Sequence, residues 1–142
     1  MSETRHTIFF GELVTVTNRA IIKTNNAPEA IGTYSQAIKV NNTVYLSGQI
    51  PINPETMKLI ETDIENQICQ VLENLNAVCH AAGGDLNCLV KLNVFLKNLD
   101  NFAIVNKVME RYFTKPYPAR AAIGVAALPL DAAVEMDGVM VI

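Results

Sequence analysis

The sequence of 142 residues predicts one α+β domain, in which about six strands form a mixed sheet and two helices cover one of its faces. Two long stretches carry apolar residues at helical spacing, and several short stretches are typical of strands. These elements follow the order β-β-β-α-β-α-β-β, and two helices can cover only one face of such a sheet. Half of the residues are apolar and 18% are charged, as expected for a folded globular chain.

Three short strands are expected to begin the folded part, at residues 19–24, 35–40 and 43–47. The Asn41-Asn42 pair between the last two predicts a hairpin turn. Residues 1–18 are interpreted as an N-terminal extension, for which a disordered arm or a start assigned too early is favoured over an ordered segment. The domain itself is expected to span residues 19–142.

The clearest helix is expected at residues 63–82, where apolar side chains recur on one face. Thr62 and Glu65 have the spacing of a capping box at its start, and Gly83-Gly84 provide a stop at its end. A strand is expected next, at residues 89–97. Its apolar side is expected to consist of Val90, Leu92, Val94 and Leu96.

A second helix is expected near residues 100–114, with Phe102 and Met109 on its apolar face and Asn106 in an architectural role. Strands at 119–126 and 132–142 are expected to end the chain. The turn between them is expected at residues 128–131.

Composition argues against several classes of protein. The net charge is -3 and no Lys or Arg run is longer than one residue, which argues against a nucleic-acid surface. No apolar run approaches 18 residues, so no membrane span is expected. The three cysteines and two histidines lack the spacing of a zinc site, and Cys69 and Cys79 lie about 15 Å apart on one helix, too far for a disulfide. A cytoplasmic location is expected.

Arg120 follows a proline and lies in a small, apolar, strand-like run. Burying a guanidinium without a partner is costly, and this side chain is well shaped to hold a carboxylate through two parallel hydrogen bonds. The residue therefore indicates either a structural ion pair or an anionic ligand. Taken alone, the structural ion pair is favoured, because internal ion pairs also occupy such positions.

Side chains alternate between the two faces of a strand. Arg120 and Ala122 are therefore expected on one face of their strand, and Glu135 and Asp137 on one face of the last strand. If the turn at 128–131 joins these strands as a hairpin, Glu135 approaches the Arg120 side of the sheet. The pair could act on a ligand, or form a salt bridge without one. The face with Arg120 and Ala122 is expected to be uncovered by helices, which predicts self-association and a site between subunits.

Four segments resemble the RidA/YjgF family, the reactive intermediate deaminases: NAPEAIGTYSQA at 26–37, LSGQIP at 46–51, VFLKNLDNF at 94–102 and YPAR at 117–120. The resemblance covers residues 19–142. It implies a fold similar to chorismate mutase and a homotrimer with pockets between its subunits. It also implies hydrolysis of 2-imino acids, formed from the enamine products of pyridoxal-phosphate-dependent serine/threonine dehydratases, to 2-oxo acids and ammonia without a cofactor or metal.

On this resemblance, Arg120 would hold the substrate carboxylate and Glu135 would orient water and accept its proton. The Tyr34 hydroxyl would bind substrate or relay a proton, although a tyrosine that only packs on the sheet is equally compatible with the residues. Ser47 and Gly48 would border the pocket, where the Gly48 N–H could approach an anion, unless Gly48 is an ordinary turn glycine.

This sequence departs from the family pattern at Ala122, which stands where the family usually has a cysteine and would line the substrate site. A thiol nucleophile is therefore excluded at this position, and the chemistry must proceed through water. The connection at 114–117 is also shorter than usual. Two alternatives stay open: a trimeric module that binds small carboxylates without turnover, and a ribonuclease, which the acidic charge balance disfavours.

Overall fold

The computed structural model describes residues 2–9 and 12–142, and the side chains of residues 18–142. Its strands and helices, in chain order, are β1 (Ser2–Phe9), β2 (Glu12–Ile22), β3 (Ala37–Val40), β4 (Thr43–Gln49), β5 (Ile52–Asn53), β6 (Lys58–Leu59), α1 (Ile64–Ala81), β7 (Leu89–Leu96), α2 (Phe102–Tyr112), β8 (Ala119–Gly124) and β9 (Val134–Val141). Seven strands form one mixed sheet in the order β1-β2-β3-β4-β9-β7-β8, and β5 pairs with β6. The α+β class is confirmed.

The N-terminal part of the sheet consists of antiparallel neighbours. The strand expected at 19–24 is the end of the longer β2, whose last residues, Ala20 to Ile22, pair with β3. The rest of β2 pairs with β1, which is why the sheet has one strand more than the six expected. Residues 1, 10 and 11 of the expected extension lie outside the described residues, and the domain boundary after residue 18 stays a prediction.

Helix α1 begins at a different cap from the one expected. The Asp63 carboxylate accepts a hydrogen bond from the Asn66 N–H at 2.8 Å, so Asp63 caps the helix and the Thr62–Glu65 capping box is wrong. Glu65 instead accepts a hydrogen bond from Lys107 of α2 at 2.9 Å. The expected stop is confirmed, because Gly83 adopts a φ of +98° and the Gly84 N–H bonds the Cys79 carbonyl at 2.9 Å.

The core lies between the two helices and one face of the sheet. On β7 the fully buried residues include Leu92, Val94 and Leu96, as expected, but Val90 is exposed. A register shift between Leu89 and Lys91 causes this difference, because one extra residue in a strand reverses the side chains beyond it. The largest fully buried side chains of α1 that pack against this face are Ile68, Val71, Leu72, Leu75 and Val78.

The order of the last three strands overturns the expected hairpin between β8 and β9. Helix α2 returns the chain so that β8 runs parallel to β7, at the edge of the sheet. β9 lies on the other side of β7, antiparallel to both β4 and β7. In this position β9 gains two neighbours, whereas a hairpin with β8 would leave it at the sheet edge. The turn near residues 129–131 therefore connects strands that are not paired.

All three cysteines are free thiols, so Cys69 and Cys79 form no disulfide with each other, as expected. Cys79 is fully buried, and burial raises the pKa of its thiol to about 12. Cys69 is half-buried and accepts a contact from Arg111 at 3.4 Å. Within residues 2–9 and 12–142, neither helix is long and apolar enough to cross a membrane.

Candidate functional site

Arg120 lies on the edge strand β8 and turns toward α2. Its Nη1 donates to the Asn106 Oδ1 at 2.6 Å and contacts the Met109 Sδ at 3.4 Å. The guanidinium carbon lies 4.8 Å from the centre of the Phe102 ring, in a cation–π arrangement. Because Phe102, Asn106 and Met109 lie on one face of α2, their contacts together orient the guanidinium.

Arg120 has no ion pair with any carboxylate among residues 18–142, where the described ion pairs involve Lys97, Lys107 and Arg111. The expected alternative of an Arg120–Glu135 salt bridge is therefore wrong within one chain. A guanidinium has five N–H donors, and the described contacts engage only its Nη1. A hollow of about 410 Å³ opens on it, lined by Asn106, Met109, Glu110, Tyr117, Pro118 and Arg120.

Glu135 lies on β9 beside Gly48 of β4. The register between these strands shifts between Leu46 and Gln49, which places Gly48 in an irregular stretch next to the Glu135 side chain. A Cβ at position 48 would lie 2.5 Å from the Glu135 Oε2, so this carboxylate can lie here only because residue 48 is glycine. Burial and, to a lesser degree, the nearby Asp137 charge raise the pKa of Glu135.

Ser47 links Gly48 to the segment that carries Tyr34. Its hydroxyl donates to the Ser35 carbonyl, and its N–H donates to the Gln36 carbonyl at 3.0 Å. Tyr34 is 53% exposed and borders a hollow of about 470 Å³ formed mainly by residues 21–36. Tyr34, Ser47, Gly48 and Glu135 are thus connected through neighbouring residues and direct contacts, and we call them the Glu135 group.

Arg120 and Glu135 do not meet within one chain. Arg120 pairs with Leu92 and therefore lies on the helix side of the sheet, whereas Glu135 pairs with Phe95 on the opposite side. β7 lies between their strands, which are therefore about 10 Å apart. The expectation that Glu135 approaches the Arg120 side is wrong, because it depended on the β8–β9 hairpin.

Ala122 is also on the helix side, since it pairs with Val94, and it packs against the core. The expectation that the face of Arg120 and Ala122 is uncovered is therefore wrong. The uncovered face of β8 instead carries Ala119, Ala121 and Ile123.

None of the described helices or strands covers the sheet face opposite the helices, and this face carries an apolar patch. Ile21, Ile38, Tyr45 and Val139 are neighbours across four strands on this face. Ile21 is 64% exposed and Tyr45 is 54% exposed. An apolar sheet face of this kind is typical of an interface. The Glu135 group lies on or beside it.

Several residues that shape the site were not identified from the sequence. Phe102 and Met109 were expected only on the apolar face of a helix, and Asn106 only in an architectural role. Together with Asn106 they follow helical spacing, at positions 102, 106 and 109. This spacing could have indicated one helix face that contacts a polar side chain of another element. Gln36 carried no comparable signal in the sequence.

Within the described residues, no three His, Cys, Asp or Glu side chains cluster in a way that could hold a metal ion. The polar groups that could contact a ligand are therefore the Arg120 guanidinium, the Asn106 amide and the Glu135 group. Arg120 suits the carboxylate of a small molecule, and on the other side of the sheet the Glu135 carboxylate suits the activation of water.

Replacing Gly48 by alanine tests whether the position of the Glu135 carboxylate matters. The added Cβ would displace the flexible end of Glu135 rather than backbone, so we expect a loss of stability below about 1 kcal/mol but a fall of roughly 10–100-fold in any activity that depends on this carboxylate. Chemical unfolding and steady-state kinetics measure the two effects. Gly124→Ala is the matched control, because its Cβ would meet Leu99 at an ordinary 3.8 Å. Equal activity of the two variants would contradict the prediction.

The fold and the site describe a small α+β protein with an arginine that faces an open hollow at a sheet edge and a half-buried carboxylate on the face opposite the helices. A family model described as endoribonuclease L-PSP matches residues 24–142. The chain belongs to this family, also known as RidA/YjgF.

Individual relatives agree with this assignment. The chain is 44% identical to the 2-iminobutanoate/2-iminopropanoate deaminase of Dermatophagoides farinae, covering 87% of this chain and 97% of the relative. The crystal structure of RidA from an Antarctic Psychrobacter has a TM-score of 0.84 and 52% identity, covering 87% and 99% of the two chains. E. coli TdcF with bound serine has a TM-score of 0.80 and 36% identity, covering 87% and 98%.

Proposed function

We propose that this protein hydrolyses 2-imino acids to 2-oxo acids and ammonia, at a site that two copies of the chain form together. The observation that carries the proposal is the Arg120 guanidinium, which α2 orients toward an open hollow and which no carboxylate among residues 18–142 pairs with. The names of two relatives, a 2-iminobutanoate/2-iminopropanoate deaminase and RidA, support the reaction class.

The proposed reaction divides between the two groups. Arg120 holds the carboxylate of the imino acid, which leaves the neighbouring C=N carbon open to attack. Glu135 accepts a proton from water as the new C–O bond forms, and the imine nitrogen gains a proton, for which the Tyr34 hydroxyl is the proposed donor or relay. Glu135 then returns its proton to the amino nitrogen, the C–N bond breaks and ammonia leaves. The hydroxyl group gives its proton back to Tyr34 and becomes the carbonyl of the 2-oxo acid. A carboxyl with a raised pKa suits a general base near neutral pH.

A site between copies follows from the placement of Arg120 and Glu135 on opposite sides of one sheet. The uncovered apolar face offers the surface for association, and a homotrimer is the assembly we propose. In such an assembly, Arg120 of one subunit would face the Glu135 group of its neighbour. Ser47 and Gly48 would border the substrate, with the Gly48 N–H close to an anionic oxygen.

Ala122 forms part of the wall near Arg120 in this proposal. Its methyl group supplies neither a nucleophile nor a proton, so water activated by Glu135 performs the attack. Ala122 is half-buried against the core and two residues beyond Arg120 on the same strand face.

A second candidate is a module that binds small carboxylates without turnover. The solved relative with bound serine favours this alternative, because serine also carries a carboxylate. Both candidates use Arg120 in the same way and differ only in whether Glu135 and Tyr34 perform chemistry.

The test is a coupled assay with a serine/threonine dehydratase and its amino-acid substrate. If the protein is a deaminase, adding it should speed formation of the 2-oxo acid in proportion to the concentration of the protein. Unchanged formation, together with measurable binding of 2-oxobutanoate, would instead support the binding module. The Arg120→Ala variant, which should be much less active, controls for contaminating activity in the same assay.

The pH dependence of hydrolysis tests the role of Asp137. Burial and the Asp137 charge raise the pKa of Glu135, and Asn93 holds Asp137 in place with a hydrogen bond of 2.7 Å. Asp137→Asn removes the repelling charge and should lower the Glu135 pKa, so the base stays ionised to lower pH. We expect the acidic limb of the pH–rate profile to move to lower pH. Asp131→Asn is the control, since Asp131 pairs with Lys97; an identical shift there would refute the assignment.

A further inference from the structure

Gln36 is a buried glutamine whose side-chain oxygen and nitrogen both form hydrogen bonds with the backbone. The residue is 3% exposed and lies directly before β3. Its Oε1 accepts a hydrogen bond from the Thr24 N–H at 2.7 Å. Its Nε2 donates to the Thr24 carbonyl at 3.0 Å and the Pro28 carbonyl at 2.8 Å, with the Ala27 carbonyl further away at 3.4 Å. One acceptor and two N–H donors are therefore satisfied by backbone.

These hydrogen bonds hold the segment 24–28 against the sheet. In the part of the chain with described side chains, the only other hydrogen bond to this segment is a local one, between Thr24 and Asn26. Ala27 and Pro28 are buried, so the carbonyls that Gln36 satisfies have little access to water. Losing Gln36 would leave several buried backbone groups without partners, which costs about 1–3 kcal/mol for each group.

The backbone of Gln36 faces the Glu135 group. Its carbonyl accepts the Ser47 N–H at 3.0 Å, and the neighbouring Ser35 carbonyl accepts the Ser47 hydroxyl. Tyr34 is two residues away in the chain, and Gly48 follows Ser47 and contacts Glu135. A shift of Gln36 would therefore move Tyr34 and Ser47 together, while Arg120 on the opposite side of the sheet would keep its α2 contacts.

We infer that Gln36 is a positioning residue for the proposed hydrolysis, because it anchors the segment 24–28 and fixes Tyr34 and Ser47 relative to Glu135. This role rests on the proposed function. It differs from a purely structural role in one respect: Gln36 should affect the chemical step and leave carboxylate binding by Arg120 almost unchanged.

The test compares Gln36→Met with Asn76→Leu in the full-length protein. Methionine keeps the size of glutamine but removes all of these side-chain hydrogen bonds. Asn76 is the matched control, since its carboxamide accepts one backbone hydrogen bond from Leu86 at the far end of α1. Kinetics with the imine generated by a dehydratase, unfolding in urea and hydrogen exchange at the Thr24 and Ser47 amides are measured for both variants.

We expect Gln36→Met to lower kcat by roughly 10–100-fold with KM within about twofold, and to speed exchange at both amides. Asn76→Leu should lose stability without a change in kcat. Equal kcat in wild type and Gln36→Met, or an equal loss in the control, would overturn the role of Gln36 alone. Absence of hydrolysis by the wild type would overturn the proposed function and this role with it.

A second variant covers the case in which Gln36→Met does not fold. Gln36→Glu keeps the acceptor for the Thr24 N–H and, as a carboxylate, places negative charge beside the carbonyls of Thr24 and Pro28. The same fall in kcat at constant KM is expected. An unchanged kcat in folded Gln36→Glu would overturn the inference.

Discussion

Arg120→Ala is expected to weaken binding of 2-oxobutanoate and to lower kcat/KM for imine hydrolysis by roughly 10–150-fold, which corresponds to about 1.5–3 kcal/mol. The physical reason is the loss of a charge-assisted contact to the substrate carboxylate. The guanidinium is oriented at the mouth of the hollow by Asn106, Met109 and Phe102. Alanine at position 120 leaves no positive charge at this place. Calorimetric titration and the dehydratase-coupled assay measure the two quantities.

Arg111→Ala is the matched control for this prediction. Arg111 is an arginine on α2 that pairs with Glu65 at 3.6 Å and contacts Cys69, so its removal changes the net charge equally without touching the hollow. Arg120→Lys should retain part of the affinity, because an ammonium keeps the charge but cannot form the two parallel hydrogen bonds. Unaltered binding of 2-oxobutanoate by Arg120→Ala would show that the carboxylate is held elsewhere.

Mixing two impaired variants is expected to restore part of the activity. Glu135→Gln keeps the size of the side chain but removes the base, and should lower kcat by roughly 10²–10⁴-fold. Arg120→Ala removes the carboxylate contact. In assemblies formed from equal amounts of both chains, a site that takes Arg120 from one copy and Glu135 from its neighbour is intact in about one quarter of cases. The mixture should therefore reach about one quarter of wild-type activity.

The exchange of subunits must be complete for this result to be informative. Co-expression of the two variants with different affinity tags, followed by two-step purification, selects assemblies that contain both. In a homotrimer that contains both variants one site of the three is intact, so these purified assemblies should reach about one third of wild-type activity. Separately purified variants, combined just before the assay, are the control and should stay inactive until subunits exchange. A mixed assembly as inactive as its parents would mean that Arg120 and Glu135 act within one chain or not together.

Local features of the fold were predictable because they depend on residues close in sequence. The helix at Ile64–Ala81 and its glycine stop follow from periodicity and backbone preference. The cap was misassigned because Thr62 and Asp63 are adjacent and both are good cap residues. Only the three-dimensional path of the chain decides which side chain reaches the Asn66 N–H.

Strand order was not predictable from the same local signals. A turn near residues 129–131 is compatible with a hairpin, yet β9 inserts between β4 and β7, because the burial of Val134, Met136 and Met140 requires a central position. Alternation correctly grouped Arg120 with Ala122 and Glu135 with Asp137. It could not say which group faces the helices, since a period of two is symmetric between faces.

The candidate site was therefore predictable as a set of residue types but not as an arrangement. Tyr34, Ser47, Gly48 and Glu135 are connected in the structure, while Arg120 and Ala122 lie on the other side of the sheet. The supporting residues depend on contacts between distant segments, such as Gln36 with Thr24. The roles assigned to the site residues stay predictions until the variants are measured.

The placement of Arg120 and Glu135 on opposite sides of one sheet has a consequence for how activity depends on protein concentration. In the proposed shared site, chemistry that needs both groups is linked by mass action to association, so a chain alone in solution would be dormant. Specific activity then falls on dilution below the dissociation constant of the assembly, and it recovers on concentration without any change in the fold. The concentration of the protein would thereby control its own specific activity.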